Sequence, residues 1–388
     1  MRNSTGVLLY QWDAYGERSL EKALREKGCY VNTFKKTIHN HLEDKDFLEE
    51  ISNILKDEKM EVVISFDFFP MIAEACKETK KIYISWVFGC PHYSLYCEPV
   101  FYEGNFIFCF DRQQCNELKK WGVKNAYHLP LAVDSEMFMN TIEKQKKDYW
   151  KNIDVSFVGS LYTDERNYFE QIPYLPDYVK GYIEGLCEAQ LKIYGYSLVG
   201  EVIPDNVWED LKKYVSFSMD STCFLPFEVF MENTIYKKIT VMERSRIMKV
   251  LSENFKTTIY TTSSTSHLPH IHKKGYVDYY NEMPSVFYNS KLNVNITLRS
   301  ISSGIPLRAL DILACQGCLV TNYQPEIAEN FEDGKEVILF GSIEELLDKC
   351  AYYLKKDDER KRIARNGWEK VISEFSYKKQ LDKIFQTI

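Results

Sequence analysis

Short apolar runs alternate with amphipathic stretches along the first third of the chain. Val7–Tyr10, Tyr30–Phe34, Glu61–Phe66, Ile82–Trp86, Phe106–Phe110 and Tyr127–Leu129 read as strands. Between them, Glu17–Lys27, Asp46–Leu55, Pro70–Lys77 and Gln113–Trp121 carry helical spacing. Strands separated by helices predict a parallel sheet, because a parallel connection has to cross over. Ligands of such sheets gather beyond the C-terminal strand ends. The loops expected there are Gln11–Gly16, Asp67–Pro70 and Phe88–His92.

The pattern then changes. After the polar stretch Asp148–Asp154, a candidate linker, Val155–Val158 reads as a strand that ends in Gly159-Ser160-Leu161. Small residues there let backbone approach a phosphate, and Arg166 is close in sequence. Residues 164–255 are mostly helical, more than one crossover needs, and read as an insertion. Thr258–Thr262 resumes the strands, and Met283–Asn289 is a short helix. Leu292, Val294, Ile296 and Leu298 alternate with polar residues, and a Ser-rich turn from Ser300 to Gly304 follows. Pro306 suits the first turn of the next helix, Leu310, Leu313 and Ala314 give its inward stripe, and Gly317 suits its left-handed close. Cys318–Thr321 is the next strand. A hydroxyl-rich loop at a helix N-terminus, flanked by Arg299 and Arg308, favours phosphate, and Asp311 lies one turn on as an acceptor for ribose hydroxyls. The same stretch also reads as an ordinary strand–helix–strand unit with a local Arg308–Asp311 salt bridge.

The run from Ser303 through Gly304, Pro306 and Arg308 to Asp311, followed by Ala314, Gly317 and Leu319–Asn322, resembles the donor-binding segment of GT-B glycosyltransferases. It is most similar to the bacterial branch of spore-maturation-protein-type enzymes. Retaining relatives often begin and end this segment with glutamates; Ser303 and Asp311 stand at those positions here. The stretches YQWDAYGERSLEKAL and YISWVFGCP resemble the N-terminal half of the same branch, in which an acid usually stands where Gly89 is found. The resemblance implies an α/β protein with two Rossmann-like, doubly wound domains facing across a cleft. Their expected bounds are 1–150 for the acceptor and 151–375 for the donor, with 376–388 packing back on the junction. It implies a UDP-, GDP- or dTDP-sugar as donor substrate and a glycan or protein acceptor, as in surface polysaccharide or flagellin glycosylation. Asp311 would hold the ribose. Arg299, Arg308, Ser302, Ser303, Gly304, Gly159, Ser160 and Arg166 would meet the diphosphate, and Gly16 would join the nucleotide-sugar contacts. A base on the N-terminal side would be Asp13, then Asp67, then His92, since each follows a strand end. A nucleotide-sugar epimerase, or a sugar-nucleotide-binding protein without catalysis, shares the donor segment.

Composition narrows the field. A formal net charge of −7 argues against nucleic acid as partner. No run is long enough to span a bilayer, and the acidic balance weighs against peripheral membrane contact. The chain enters its first strand at once, without room for a signal sequence. Eleven cysteines, mostly in apolar runs, suit reduced thiols and a cytoplasmic location. Cys315 and Cys318 have redox or zinc spacing but no second pair, and the sequons at Asn3 and Asn295 carry no weight in that compartment. His267, His270 and His272 cluster without an acid or cysteine beside them, so no metal is expected. The only Asp-x-Asp, Asp44-Lys45-Asp46, lies in a helix-like stretch and argues against a GT-A site.

Overall fold

The computed structural model describes residues 5–145, 153–163 and 167–388. Of the expected linker only Ile153 and Asp154 are described, and Arg166 lies outside the described residues. The chain forms two compact units. The N-terminal unit comprises residues 1–134, 219–225 and 374–388; the C-terminal unit comprises 135–218 and 226–373.

The N-terminal unit alternates strand and helix. Its elements are β1 (Gly6–Gln11), α1 (Glu17–Glu26), β2 (Tyr30–Lys35), α2 (Lys45–Leu55), β3 (Met60–Phe66), α3 (Pro70–Thr79), β4 (Ile82–Val87), β5 (Asn105–Cys109), α4 (Arg112–Lys120) and β6 (Ala126–His128). The six strands are parallel in the order β2-β1-β3-β4-β5-β6. Helices on both faces explain why β1, β3 and β4 read as nearly unbroken apolar runs. Leu8, Tyr10, Val63, Tyr83 and Ile107 are buried there with Phe47 and Ile72. Asp44 and Asp111 cap α2 and α4 by accepting backbone N–H groups.

Residues 219–225 join this unit from far along the chain. The Glu98 N–H donates to the Thr222 carbonyl at 2.9 Å, the Phe224 N–H donates to the Tyr96 carbonyl at 2.7 Å, and a disulfide links Cys97 to Cys223. The expectation of reduced thiols is therefore corrected at two of the eleven cysteines. A strand-like bridge brings together residues 126 apart in sequence, a pairing that spacing cannot reveal. Cys315 and Cys318 are buried and free.

The C-terminal unit contains α5 (Ser135–Lys144), β7 (Ile153–Val158), α6 (Asp177–Gln190), α7 (Val199–Val202), α8 (Asp205–Tyr214), α9 (Phe227–Asn254), β8 (Thr257–Tyr260), β9 (His272–Lys274), α10 (Met283–Asn289) and β10 (Ser290–Asn295). It continues with α11 (Leu307–Ala314), β11 (Leu319–Asn322), α12 (Pro325–Asn330), β12 (Ile338–Phe340), α13 (Ile343–Tyr353) and α14 (Asp357–Glu374). The last helix, α15 (Tyr377–Thr387), returns to the N-terminal unit. The second sheet is also six-stranded and parallel, in the order β12-β11-β10-β7-β8-β9. The inserted helices have a core of their own around Val179, Ile183, Leu211 and Ile235. Helix α9 serves both cores, giving Met231, Ile235 and Ile239 to the insertion and Ile247, Met248 and Leu251 to the sheet.

Three local expectations change. β10 stops at Asn295, so Ile296 and Leu298 lie in the loop beyond it. Pro306 is the N-cap of α11 in an extended conformation, one residue ahead of its expected place. Gln316, not Gly317, takes the left-handed conformation at the end of α11, with φ 54°. Glycine is still required at 317, because a Cβ there would lie 2.9 Å from the Ile312 carbonyl oxygen.

Candidate functional site

Each sheet reverses its winding beside its first strand. From β7 the chain builds outward through β8 and β9, then returns to build β10, β11 and β12 on the other side. The gap beyond the carboxyl ends of β7 and β10 is the switch point, where open α/β sheets bind ligands. Arg244, from α9, spans this gap. Its guanidinium donates to the Ser160 carbonyl beyond β7 and to the Ile296 carbonyl beyond β10, both at 2.5 Å. The side chain packs against the rings of Phe157 and Tyr162. Arg244 is 9% exposed, hydrogen-bonds the Tyr162 side chain, has no partner for its Nε among the described residues, and forms no ion pair with a described acid. Burial pushes its pKa down, Tyr162 and Glu243 oppose that fall, and the neighbouring Arg308 adds to it.

Arg299 is also buried, in a different setting. Its Nε and Nη2 each donate to Glu243 at 2.8 Å, its Nη1 donates to the Ile193 carbonyl at 2.7 Å, and its plane lies over the Tyr194 ring. The guanidinium expected on the diphosphate is thus held by a buried carboxylate. Arg308, on the first turn of α11, is partly exposed and lies 3.3 Å from Asp311 Oδ2. Asp311, the expected ribose acceptor, is buried and accepts from the Tyr279 hydroxyl at 2.7 Å. Burial raises its pKa to about 6 against the opposing pull of Arg308 and Tyr279.

Around Arg244 the loops are closed on themselves. The Gly159 N–H donates to the Tyr260 carbonyl, the Leu161 N–H to Ser263 Oγ and the Tyr162 N–H to Ser160 Oγ. These three N–H groups are therefore engaged within the protein. Ser303 is buried and its Oγ donates to Glu326 Oε1 at 2.7 Å, so a carboxylate from α12 stands beside the residue that replaces the first acid of the resembled segment. Ser302 is half-buried and Gly304 is buried in the same turn. Sequence reasoning missed Arg244, Glu243, Tyr279 and Glu326. Arg244 sits in a charged run of a long helix, where the bland reading is a solvated face, and nothing in the spacing marks it as buried.

The N-terminal sheet has its switch point between β1 and β3. Trp12, beyond β1, bridges it by donating its indole N–H to the Phe66 carbonyl at 2.9 Å. Asp13 and Asp67 follow the two strands, both left-handed with φ 70° and 60°. Asp13 is exposed and pairs with Lys35 at 2.5 Å. Asp67 is 9% exposed, and its Oδ1 accepts the N–H groups of Phe88 at 2.7 Å and Gly89 at 3.0 Å. Its Oδ2 has no partner among the described residues and is not sealed off. His92 Nδ1 stands 3.7 Å from Asp67 Oδ1, while Nε2 lies 3.0 Å from the Phe68 carbonyl oxygen. A Cβ on Gly89 would come within 2.9 Å of His92 Nδ1, so any larger residue there displaces that ring. Gly16 caps α1 at φ 92°, and a Cβ on it would overlap the Tyr377 hydroxyl. The buried Glu17 accepts the N–H groups of Trp12 at 2.8 Å and Ala14 at 3.0 Å, and burial raises its pKa.

Among the described residues there is no group of His, Cys, Asp or Glu suited to a metal ion, and no helix long and apolar enough to cross a membrane. A search of curated proteins found no match. Residues 244–386 match the family model described as glycosyl transferase-like. Anabaena HepE in complex with UDP-glucose is similar in structure, with a TM-score of 0.55, 8% identity and coverage of 99% of this chain and 100% of HepE. Sucrose-phosphate synthase from Thermosynechococcus elongatus gives 0.53 at 10% identity, covering 98% of both chains. The UDP-forming α,α-trehalose-phosphate synthase from Burkholderia xenovorans gives 0.53 at 12% identity, covering 99% of this chain and 98% of that one. Identities this low speak for architecture alone. The chain has the GT-B fold, and the segment that begins at Arg244 is glycosyl transferase-like in sequence.

Proposed function

We propose that the protein transfers a glycosyl group from a nucleotide-diphosphate sugar to an acceptor hydroxyl. One observation carries this reading above the rest: a buried guanidinium with no described acid partner spans the switch point of the unit that holds most of the glycosyl transferase-like segment. Burying an unpaired charge is unfavourable until an anion joins it. A diphosphate supplies that anion, and the UDP-glucose of the HepE complex is a ligand of this kind.

In the reaction, the bond between the sugar C1 and the outer phosphate oxygen breaks, and its electron pair stays on the nucleoside diphosphate. The acceptor oxygen bonds to C1, and its proton passes to a carboxylate. Charge grows on the diphosphate as that bond opens, so Arg244 and Arg308 stabilise the transition state more than the bound donor. Asp311 then orients Arg308 rather than meeting the ribose, because its carboxylate is buried under Tyr279. Ser302 and the Gly304 backbone remain the other contacts assigned to the diphosphate, and Arg299 braces the loop through Glu243. Asp67 is the assigned base: its Oδ2 is the unpartnered oxygen, whereas Asp13 is paired with Lys35. His92 steadies Asp67 from Nδ1.

The test is incubation with UDP-, GDP- and dTDP-sugars, with and without simple saccharide acceptors. The expected result is acceptor-dependent release of nucleoside diphosphate and a product heavier by one glycosyl unit. An epimerised sugar formed without acceptor, or a donor that binds and is never consumed, would overturn the reading.

A further inference from the structure

The N-terminal switch point has a second binding chemistry. The indole of Trp12 is 41% exposed although its N–H is satisfied inside the protein, by the Phe66 carbonyl. What it offers to solvent is therefore apolar ring. The loop that presents it is fixed: the buried Glu17 holds the Trp12 and Ala14 N–H groups, Asp13 and Gly16 occupy left-handed conformations, and the Phe69 ring meets the indole edge-on at 6.1 Å. A left-handed non-glycine residue, Asp13, in a loop held by a buried acid is a feature that functional loops tend to carry. Beside the indole, beyond the next strand, Asp67 is nine-tenths buried with one carboxylate oxygen unpartnered among the described residues. On the other side, Lys35 and Asp13 form an exposed ion pair.

A flat, exposed aromatic with hydrogen-bonding charges around it suits a ligand with one apolar face and polar edges. A pyranose ring is such a ligand: its axial C–H bonds carry partial positive charge and meet the negative face of the indole, while its hydroxyls reach the surrounding carboxylates. A serine or threonine hydroxyl on a peptide would use Asp67 and leave the indole without a partner. We propose that the β1–β3 crevice is a saccharide subsite, with Trp12 as its stacking platform and Asp67 Oδ2 as the acceptor of a ring hydroxyl. Resting on the transfer reading above, this makes the acceptor a sugar rather than a protein side chain.

Saturation-transfer NMR with the methyl glycosides of glucose, galactose, mannose and N-acetylglucosamine tests it on the full chain. At least one should receive saturation on its ring protons. Trp12→Ala should weaken that glycoside roughly tenfold or more, the scale of one lost stacking contact. Trp12→Phe, which keeps an aromatic face but loses the bond to Phe66, should retain most of the binding and guards against a simple folding defect. UDP binding, measured in parallel, should be the same in all three proteins. If no glycoside binds, if Trp12→Ala binds as well as wild type, or if a serine-containing peptide binds and the glycosides do not, the subsite is wrong. Trp12-dependent glycoside binding without any nucleotide binding would uphold the subsite and overturn the transfer reading, so the two fail separately.

Discussion

Two parallel sheets of six strands reverse their winding beside their first strand, and in each a side chain bridges the gap so formed. In the C-terminal unit the bridge is the guanidinium of Arg244; in the N-terminal unit it is the indole of Trp12. The backbone plan is shared and settles where a ligand can sit. In the reading proposed above, the bridging group sets the kind of ligand. On that reading, a buried cation with no described acid partner favours an anion, whereas an exposed ring flanked by carboxylates favours an uncharged polyol face. A second comparison, within one unit, sharpens the first. Arg299 and Arg244 are both nearly buried, but Arg299 is held twice by Glu243, whereas Arg244 meets two carbonyl oxygens and the side chain of Tyr162 and no described acid.

That contrast gives the largest predicted effect. Arg299→Met takes the cation from the buried Glu243 carboxylate, which keeps the Tyr194 hydroxyl as a donor, and should cost about 3–5 kcal/mol of stability. Arg244→Met removes a buried charge with no described acid partner together with its bonds to two carbonyls, and should cost the ligand-free protein clearly less than Arg299→Met. Chemical denaturation of both variants decides it, and equal losses would erase the distinction between a structural and a ligand-seeking arginine.

Glu17→Ala is next in size. It frees the buried N–H of Ala14 and the N–H of Trp12, for a loss of roughly 1–3 kcal/mol. If the loop is held for display, glycoside binding falls with it while nucleotide binding does not. Measuring both ligands on the same preparation tests this.

The smallest effect is a pH dependence. Burial lifts the Asp311 pKa to about 6, so the carboxyl gains a proton as pH falls through that value. Protonation removes the negative charge 3.3 Å from Arg308 and leaves the arginine freer for an anion. Nucleotide-sugar affinity should therefore rise about threefold as pH falls from about 7.5 to about 5, and be nearly flat in Asp311→Asn. The raised value also means that the folded state holds the proton more tightly than the unfolded chain. The contribution of Asp311 to stability is then full below the unfolded pKa and declines as pH rises through about 6.

Much of the architecture was legible because parallel strands covered on both faces leave plain apolar runs, as in β3 and β4. The donor-like segment was legible too, since Gly304, Pro306 and Gly317 punctuate it. What escaped were contacts made at long range. Nothing in the sequence around Arg244 says that its helix turns that face to the sheet, or that Glu243, one residue earlier, claims Arg299. Asp311 read as a ribose ligand from the resemblance of its segment and its place one turn after Arg308, whereas the Tyr279 hydroxyl that donates to it comes from another loop. Trp12 sat in a loop already singled out, yet its role depended on the Phe66 carbonyl 54 residues later. Cys97 and Cys223 show the same limit.

The most direct test of the account is calorimetric titration of UDP, GDP and dTDP into wild type and Arg244→Met. The account predicts that one diphosphate binds wild type in the micromolar range and binds the variant about 100-fold more weakly, a loss of about 2.7 kcal/mol. If none binds, or if the variant binds as tightly as wild type, Arg244 is not awaiting an anion and the donor site assigned here is wrong.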